Sequence, residues 1–419
     1  MKFVYSLLNL LFITSSAFSQ YLLKPEQIFD GEEMRRDWVV TVVESQIEYV
    51  GSPNDLKDSE KYEVINLDGL TLMPGLIEGH SHILLHPYNE TSWNDQVLKE
   101  SYAERAIRAA NHVEASLMAG ITTMRDLGSE GAGYVDVGVK ESIEKGVISG
   151  PRLLVAGPAI VATGSYGPKG FHDGVKVPLG AEEADGEDNL IAEVRRQIGN
   201  GVDLIKVYAD YRWGPNGRAM PTFTQQEIEL MVRVAESSGR SVVAHAATAE
   251  GMRRAALAGV ETIEHGDGGT PEVYQIMKEN NIALCPTLAA VDAISQYRGW
   301  NKAKDPDPER IIKKKKSFKQ ALKSGVKICF GGDVGVYPHG DNARELELMV
   351  EYGMDAKDVL IAATSGNAKT FHLDDQVGSI KAGMMADIIA IQGDPTKNIS
   401  ATREVRFVMK NGLIHLNDK

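Results

Sequence analysis

Cysteine is all but missing: the 419 residues contain two, Cys285 and Cys329. Two cysteines exclude a disulfide framework for a chain of this size. Both sit in apolar runs, Ile282-Ala283-Leu284-Cys285 and Val326-Lys327-Ile328-Cys329. They read as buried, unreactive thiols, and whether they pair stays open. A surplus of positive charge is missing as well. The net charge of −13 argues against a nucleic-acid surface and suits an enzyme of small molecules or peptides. The one basic run, Lys313-Lys314-Lys315-Lys316, lies inside a helical pattern from Glu309 to Ser324 and reads as a solvated helix face. No repeat of solenoid period occurs, and no apolar run is long enough for a full membrane span.

What is present begins with a leader. Lys2 precedes the largely apolar Phe3 to Ile13, and Ala17-Phe18-Ser19 offers small residues on either side of Phe18. This reads as a secretory signal over residues 1–19, cut after Ser19, with Gln20 first in the mature chain. No cysteine lies near the cut, which argues against a lipoprotein anchor. The expectation is a periplasmic or secreted protein with no membrane span after cleavage.

Short strand-like stretches follow at Tyr21 to Leu23, Trp38 to Val43, Ile47 to Gly51 and Tyr62 to Asn66, separated by polar turns. From Pro74 the pattern becomes apolar strands alternating with amphipathic helices. Strands are expected at Gly75–Glu78, Ile121–Asp126, Arg152–Ala156, Leu204–Tyr208, Ser241–His245, Thr262–Glu264, Ala283–Pro286 and Lys327–Phe330. Helices are expected at Glu100 to Ala119, Leu190 to Asn200, Thr224 to Gly239 and Ala249 to Ala258. The Glu182 to Asp188 and Pro215 to Thr224 stretches read as loops. Eight strands with crossovers, and no Gly-x-Gly-x-x-Gly after the first, favour a (β/α)8 TIM-like barrel over an open doubly wound sheet. Past Asn367 the chain returns to strands, with Asn411-Gly412 as a hairpin turn. The expected α/β architecture is therefore a barrel over 74–376 and a small β-sandwich domain built from both chain ends, 20–73 and 377–419.

Chemistry gathers at the carboxyl ends of the expected strands, where such barrels place their sites. His80 and His82 end the first strand; two residues apart, they share a face, and both imidazoles can reach one ion. Lys206 lies within the fourth strand, His245 ends the fifth, His265 the sixth, and Asp333 follows the eighth. Each alone has a plain reading: a histidine at a strand end is usually hydrogen-bonded structure, and Asp333 after two glycines can cap a helix. Lys206 is harder to dismiss. Amid Leu204, Ile205 and Val207 a cation is costly to bury, so it must lower its pKa, pair with an acid or be chemically changed. Six such groups at one end of five strands favour a metal site over separate accidents.

These residues carry a family resemblance. The stretches Met73-Pro74-Gly75-Leu76-Ile77-Glu78-Gly79-His80-Ser81-His82, Gly120 to Asp126, Ile205-Lys206-Val207-Tyr208, His245-Ala246, Glu264-His265-Gly266 and the Gly378–Pro395 tail resemble the amidohydrolase superfamily. The similarity is to its imidazolonepropionase-like and Xaa-Pro-dipeptidase-like branch, over nearly the whole mature chain. The resemblance implies two zinc ions per subunit, one on His80, His82 and Asp333 and one on His245 and His265, bridged by carboxylated Lys206. As a carbamate Lys206 would be an anionic ligand and no longer a buried cation. The implied reaction is attack of a zinc-activated bridging hydroxide on an amide carbonyl. Asp333 then carries the proton to the leaving amine, and Tyr208 donates to the carbonyl oxygen; packing is the plain reading of Tyr208.

One departure bears on substrate. Relatives in the dipeptidase branch often carry Ala-Thr-Gly-Gly-His-Gly after the third strand, whereas this chain has Ala162-Thr163-Gly164-Ser165-Tyr166-Gly167. Thr163 and Tyr166 are thus candidate substrate contacts, with Arg212 as a candidate for a substrate carboxylate. His86, His172 and His339 lie in loops near the same face. The expected activity is cleavage of the C–N bond of a dipeptide or N-acyl amino acid. A cyclic amide or imidazolone hydrolase, or a broad amidase acting on amide-linked toxins such as ochratoxin, is the alternative. The non-enzyme alternative is a metal-free scaffold, against which all six ligand positions are filled. The expected partner is a small-molecule or dipeptide substrate, and assembly into a homo-oligomer stays open.

Overall fold

The structure, a computed structural model, describes residues 20–172 and 174–418; the expected leader lies outside the described residues. One sheet joins the two chain ends. Its strands run in the order Leu413–Asn417, Val405–Lys410, Ile388–Gln392, Glu63–Pro74, Gln20–Phe29, Val39–Val43 and Gln46–Gly51, with Met34–Arg36 also on Gln20–Phe29. The pairing joins these strands in one eight-stranded sheet. Leu23, Val40, Leu72, Ile388 and Phe407 lie in its own apolar core. Asn411 and Gly412 take φ of 50° and 73°. This is the left-handed pair that a tight two-residue hairpin demands.

The intervening chain builds parallel sheets. Leu76–Ser81, Ile121–Asp126 and Arg152–Val155 form one. Ile160–Val161, Ile205–Tyr208, Val242–Ala246, Thr262–His265 and Ala283–Cys285 form a second, with Glu182–Glu183 at its edge. Backbone bonds link the two. Asp203 donates to Val155 O at 2.8 Å, Cys329 to Leu284 O at 2.8 Å, and Gly79 to Phe330 O at 2.9 Å. The expected strand Lys327–Phe330 appears only as the bridge Leu284↔Ile328 and these bonds. Its neighbours explain the brevity. A side chain on Gly331 would stand 2.4 Å from Cys285 Sγ and 2.8 Å from His80 N, so the backbone closes tightly there and then turns.

Helices cover the sheets, and their bounds follow capping. Thr224 and Glu227 make a reciprocal capping box that starts Gln225–Glu236. Gly325, at φ 70°, ends Glu309–Ser324. The helix expected from Glu100 starts instead at Tyr102, because Ser101 accepts from Glu104 N and caps it. The acidic stretch read as a loop holds the strand Glu182–Glu183 and the start of the helix Gly186–Gly199. Cys285 and Cys329 are buried, as expected, and they are free thiols, which answers the open question of pairing. No described helix is long and apolar enough to cross a membrane.

Candidate metal centre and active-site cavity

A cavity of 820 Å³ opens where the parallel strands end. His80, His82, Tyr166, Tyr208, Arg212, His245, His265 and Asp333 line it. Lys206 does not line it but is buried beside it, 5.9 Å from the Tyr208 ring. Thr163 is exposed and lies outside it, with its N–H given to Asp185 at 3.1 Å. His86 is held between Glu100 at 2.8 Å and Glu90 at 3.3 Å. His339 stacks on His112 at 4.3 Å and bonds Leu85 O; exposed His172 is likewise outside the lining.

Strand register explains most of the convergence. Tyr208 pairs directly with His245, and Ala246 with His265. The Tyr208 and His245 rings stack at 4.5 Å, and His245 meets His265 at 4.5 Å. His265 and Asp333 break the period of two by left-handed backbone, φ 75° and 64°. Glu130 and Thr287, also lining the cavity, are left-handed too, at 48° and 49°. Four of the eleven described non-glycine residues with positive φ thus border one cavity, where such strain tends to accompany function.

Three of the histidines, candidate metal ligands, are oriented through Nδ1. His80 Nδ1 lies 2.7 Å from Glu264, His82 Nδ1 3.0 Å from Gly128 O, and His265 Nδ1 2.8 Å from Thr287 Oγ1. Glu264 also accepts from Arg125 at 3.3 Å and from Thr262, so it is an ionised acceptor and His80 carries its proton on Nδ1. The Glu264 and Gly128 acceptors leave the Nε2 lone pairs of His80 and His82 free, and Thr287 orients the His265 ring, the arrangement by which proteins orient metal-binding imidazoles. Burial is the main cause that drives His80 well below its ordinary pKa and takes His245 down to about 3. Burial also lowers His82 and drives His265 well below its ordinary pKa. All four imidazoles are therefore neutral near pH 7.

Asp333 Oδ1 stands 3.7 Å from His80 Nε2 and 3.5 Å from His82 Nε2. His80, His265 and Asp333 offer ligand atoms within 4.8 Å of one another. Proton-free acceptors facing each other beyond hydrogen-bond distance repel unless a cation sits among them, so this donor set fits a metal. Lys206 is 1% exposed, yet among the described residues its amine has no hydrogen bond and no carboxylate within 4 Å. Burial lowers its pKa, against the pull of Glu264 and Asp333. A buried, partnerless amine of lowered pKa fits conversion to a carbamate better than life as a cation.

Several neighbours escaped the sequence reading. Glu264 is one. Asp210, 3.8 Å from His245, accepts from Ala247 N and Thr248 N and fixes the loop after that strand. Lys314 corrects the expectation of a wholly solvated lysine run. It is 3% exposed, donates to His265 O at 2.8 Å and pairs with Asp267. Arg298 and Arg310 join Arg212 at the rim, and none of the three has a carboxylate within 4 Å among the described residues. Tyr166 reaches Glu130 at 2.7 Å.

An α/β scaffold that gathers four neutral histidines, an aspartate and a buried lysine at its strand ends defines a hydrolase that acts on carbon–nitrogen bonds. Residues 71–414 match the Amidohydrolase family, and the chain belongs to it. It is 28% identical to the ochratoxinase of Aspergillus niger over 414 residues, covering 90% of this chain and 82% of that protein. The solved structure of that ochratoxinase superposes with a TM-score of 0.80 at 26% identity, covering 96% of both chains. A Xaa-Pro dipeptidase with methionine bound in its active site gives 0.83 at 29% identity, over 95% of this chain and all of that one.

Proposed function

We propose that this protein is a metal-dependent amidohydrolase that cleaves a dipeptide or N-acyl amino acid. The observation that carries this reading is the unprotonated Nε2 and carboxylate cluster beside partnerless Lys206, beneath a rim of unpaired arginines. Similarity to a Xaa-Pro dipeptidase and to ochratoxinase supports it.

His80, His82 and Asp333 would hold one zinc ion, His245 and His265 a second, and carboxylated Lys206 would bridge them. Such ions supply a water of lowered pKa and a polarised carbonyl. The chain's own groups do the rest. Arg212, with Arg298 and Arg310, binds the substrate carboxylate and sets the scissile bond over the cluster. Tyr208, fixed by its stack on His245, donates its hydroxyl to the carbonyl oxygen as charge develops there. Asp333, with Oδ1 3.5 Å from His82 Nε2 and 3.7 Å from His80 Nε2, is placed to take the water proton and pass it to the leaving amine. Tyr166 acts by ordering Glu130.

The same reading takes the two parallel sheets as one (β/α)8 barrel over 74–376, with 20–73 and 377–419 as a composite β-sandwich domain. The leader 1–19 would direct the protein to the periplasm or outside. Screening a dipeptide and N-acyl amino acid library with protein reconstituted in zinc and bicarbonate tests the function. Chelator-sensitive release of a free amino acid is expected; no cleavage of any member would refute it.

A further inference from the structure

We propose that Glu130 is the receptor for the α-ammonium of the residue on the acyl side of the scissile bond. The enzyme then takes zwitterionic dipeptides and discriminates against their N-acylated or desamino analogues. This deepens the amide-hydrolase reading and rests on it.

The Glu130 side chain is 4% exposed and lines the cavity. Its Oε2 accepts from Trp93 Nε1 at 2.8 Å and from the Tyr166 hydroxyl at 2.7 Å. Its Oε1 has only the Tyr208 hydroxyl, at 3.4 Å. His82 Nδ1 stands 4.0 Å away with its proton committed to Gly128 O. Arg105 brings a guanidinium near but spends it on the carbonyls of Leu84, Ser129 and Glu130 itself. Among the described residues no lysine or arginine nitrogen lies within 4 Å of the carboxylate. A buried carboxylate without a cation is expensive. Here it is also held in left-handed backbone, φ 48°, by the 2.7 Å bond from Arg105 to its carbonyl.

Oε1, with a single partner at 3.4 Å, has room to accept from the N–H groups of a small cation. Trp93, Tyr166 and Tyr208 turn their N–H and O–H edges to Glu130, and their rings pack on one another at 5.2 and 4.8 Å, which fixes the carboxylate in place. The rim supplies the opposite charge in Arg212, Arg298 and Arg310. Arg310 lies within electrostatic reach of Asp267 first, then of Arg298, Arg212 and Asp333. The cavity is therefore bipolar, and a zwitterionic dipeptide answers both ends. An N-acyl amino acid answers only the arginines and leaves Glu130 buried and unpaired, the circumstance in which a polar site rejects an analogue most strongly.

The test uses the metal-loaded enzyme and two ligand pairs. L-Alanyl-L-phenylalanine and its N-acetyl derivative are compared in hydrolysis. A phosphinic dipeptide isostere and its desamino analogue are compared by calorimetric binding. Loss of the amine should weaken wild-type binding about 10- to 100-fold, the range of a charge-assisted hydrogen bond. Glu130→Gln keeps an acceptor for Trp93 and Tyr166 and should bring that ratio near unity. A merely structural role would weaken both ligands alike and leave the ratio standing, which would overturn the proposal. Equal wild-type affinity for the two isosteres, or no binding of either, would also overturn it without recourse to the variant. Equal hydrolysis of both peptides would keep the amidohydrolase and discard the ammonium site. Hydrolysis of neither would count against the amidohydrolase, while the binding ratio still decides Glu130.

Discussion

Replacing Glu264 by glutamine should weaken metal binding without emptying the fold. The carboxylate is fully buried, 2.7 Å from His80 Nδ1 and 3.3 Å from Arg125. Glutamine keeps an acceptor for His80 but removes the charge that fixes the tautomer and strengthens Nε2 as a ligand. Outer partners of metal-bound histidines are worth about 10- to 100-fold in affinity, or roughly 1.4–2.8 kcal/mol. Arg125 also loses a counter-charge. Breaking a buried pair costs about 3–5 kcal/mol when the remaining charge is uncompensated. Arg125 keeps Glu261 at 3.0 Å, Gly79 O at 2.8 Å and the Phe371 face at 3.8 Å. The stability loss should therefore fall below that range. Chelator competition on metal-free protein reads the affinity, and urea unfolding of the same protein reads the stability. Unchanged metal affinity in a folded Glu264→Gln protein would refute the orienting role of this carboxylate and weaken the assignment of His80.

Two further outcomes follow from groups near the site. Lys314→Met removes the cation that binds His265 O and Asp267. Because Asp267 is partly solvated, a loss of roughly 1–3 kcal/mol is expected in unfolding, with metal affinity falling in parallel; wild-type values for both would deny Lys314 a part in holding His265. Glu345, buried against the start of Leu288–Tyr297, is pushed up to about 8, chiefly by burial. Its folded pKa lies above the unfolded one, so its stabilisation is complete below about pH 4.5 and lost as pH rises toward 8. Between pH 5.5 and 8 that loss is about 3 kcal/mol. Unfolding of Glu345→Gln across this window should show a correspondingly flatter slope, whatever its absolute level, and an unchanged slope would contradict the assignment.

How much of this was legible before the structure depends on which physical rule each residue obeys. His80 with His82, and Lys206 with Tyr208, follow strand periodicity, so their shared faces could be read directly. The placement of His265 and Asp333 depends on left-handed backbone, which a strand pattern does not announce. Glu264 was readable in principle, since an acid inside an apolar strand poses the same burial problem as Lys206. Glu130 closes the segment after Ile121–Asp126, so the rule about strand ends would have found it had acids been counted with histidines. The eighth expected strand reduces to a single bridge because apolar sequence sets burial, whereas close approach at Gly331 sets where pairing can continue. Lys314 was hidden in a uniform lysine run. Only packing against Asp267 and His265 distinguishes it from Lys313, which pairs with Glu309 on an exposed face.

The central claim is that Lys206 completes a two-metal site. Metal content by elemental analysis, with intact mass under native conditions, tests it most directly in wild type and Lys206→Ala reconstituted with zinc and bicarbonate. Two ions per wild-type chain and a carbon dioxide adduct are expected, with both lost or much reduced in the variant. A wild-type chain that binds no metal, or a Lys206→Ala chain that keeps two ions and full hydrolysis, would contradict the account.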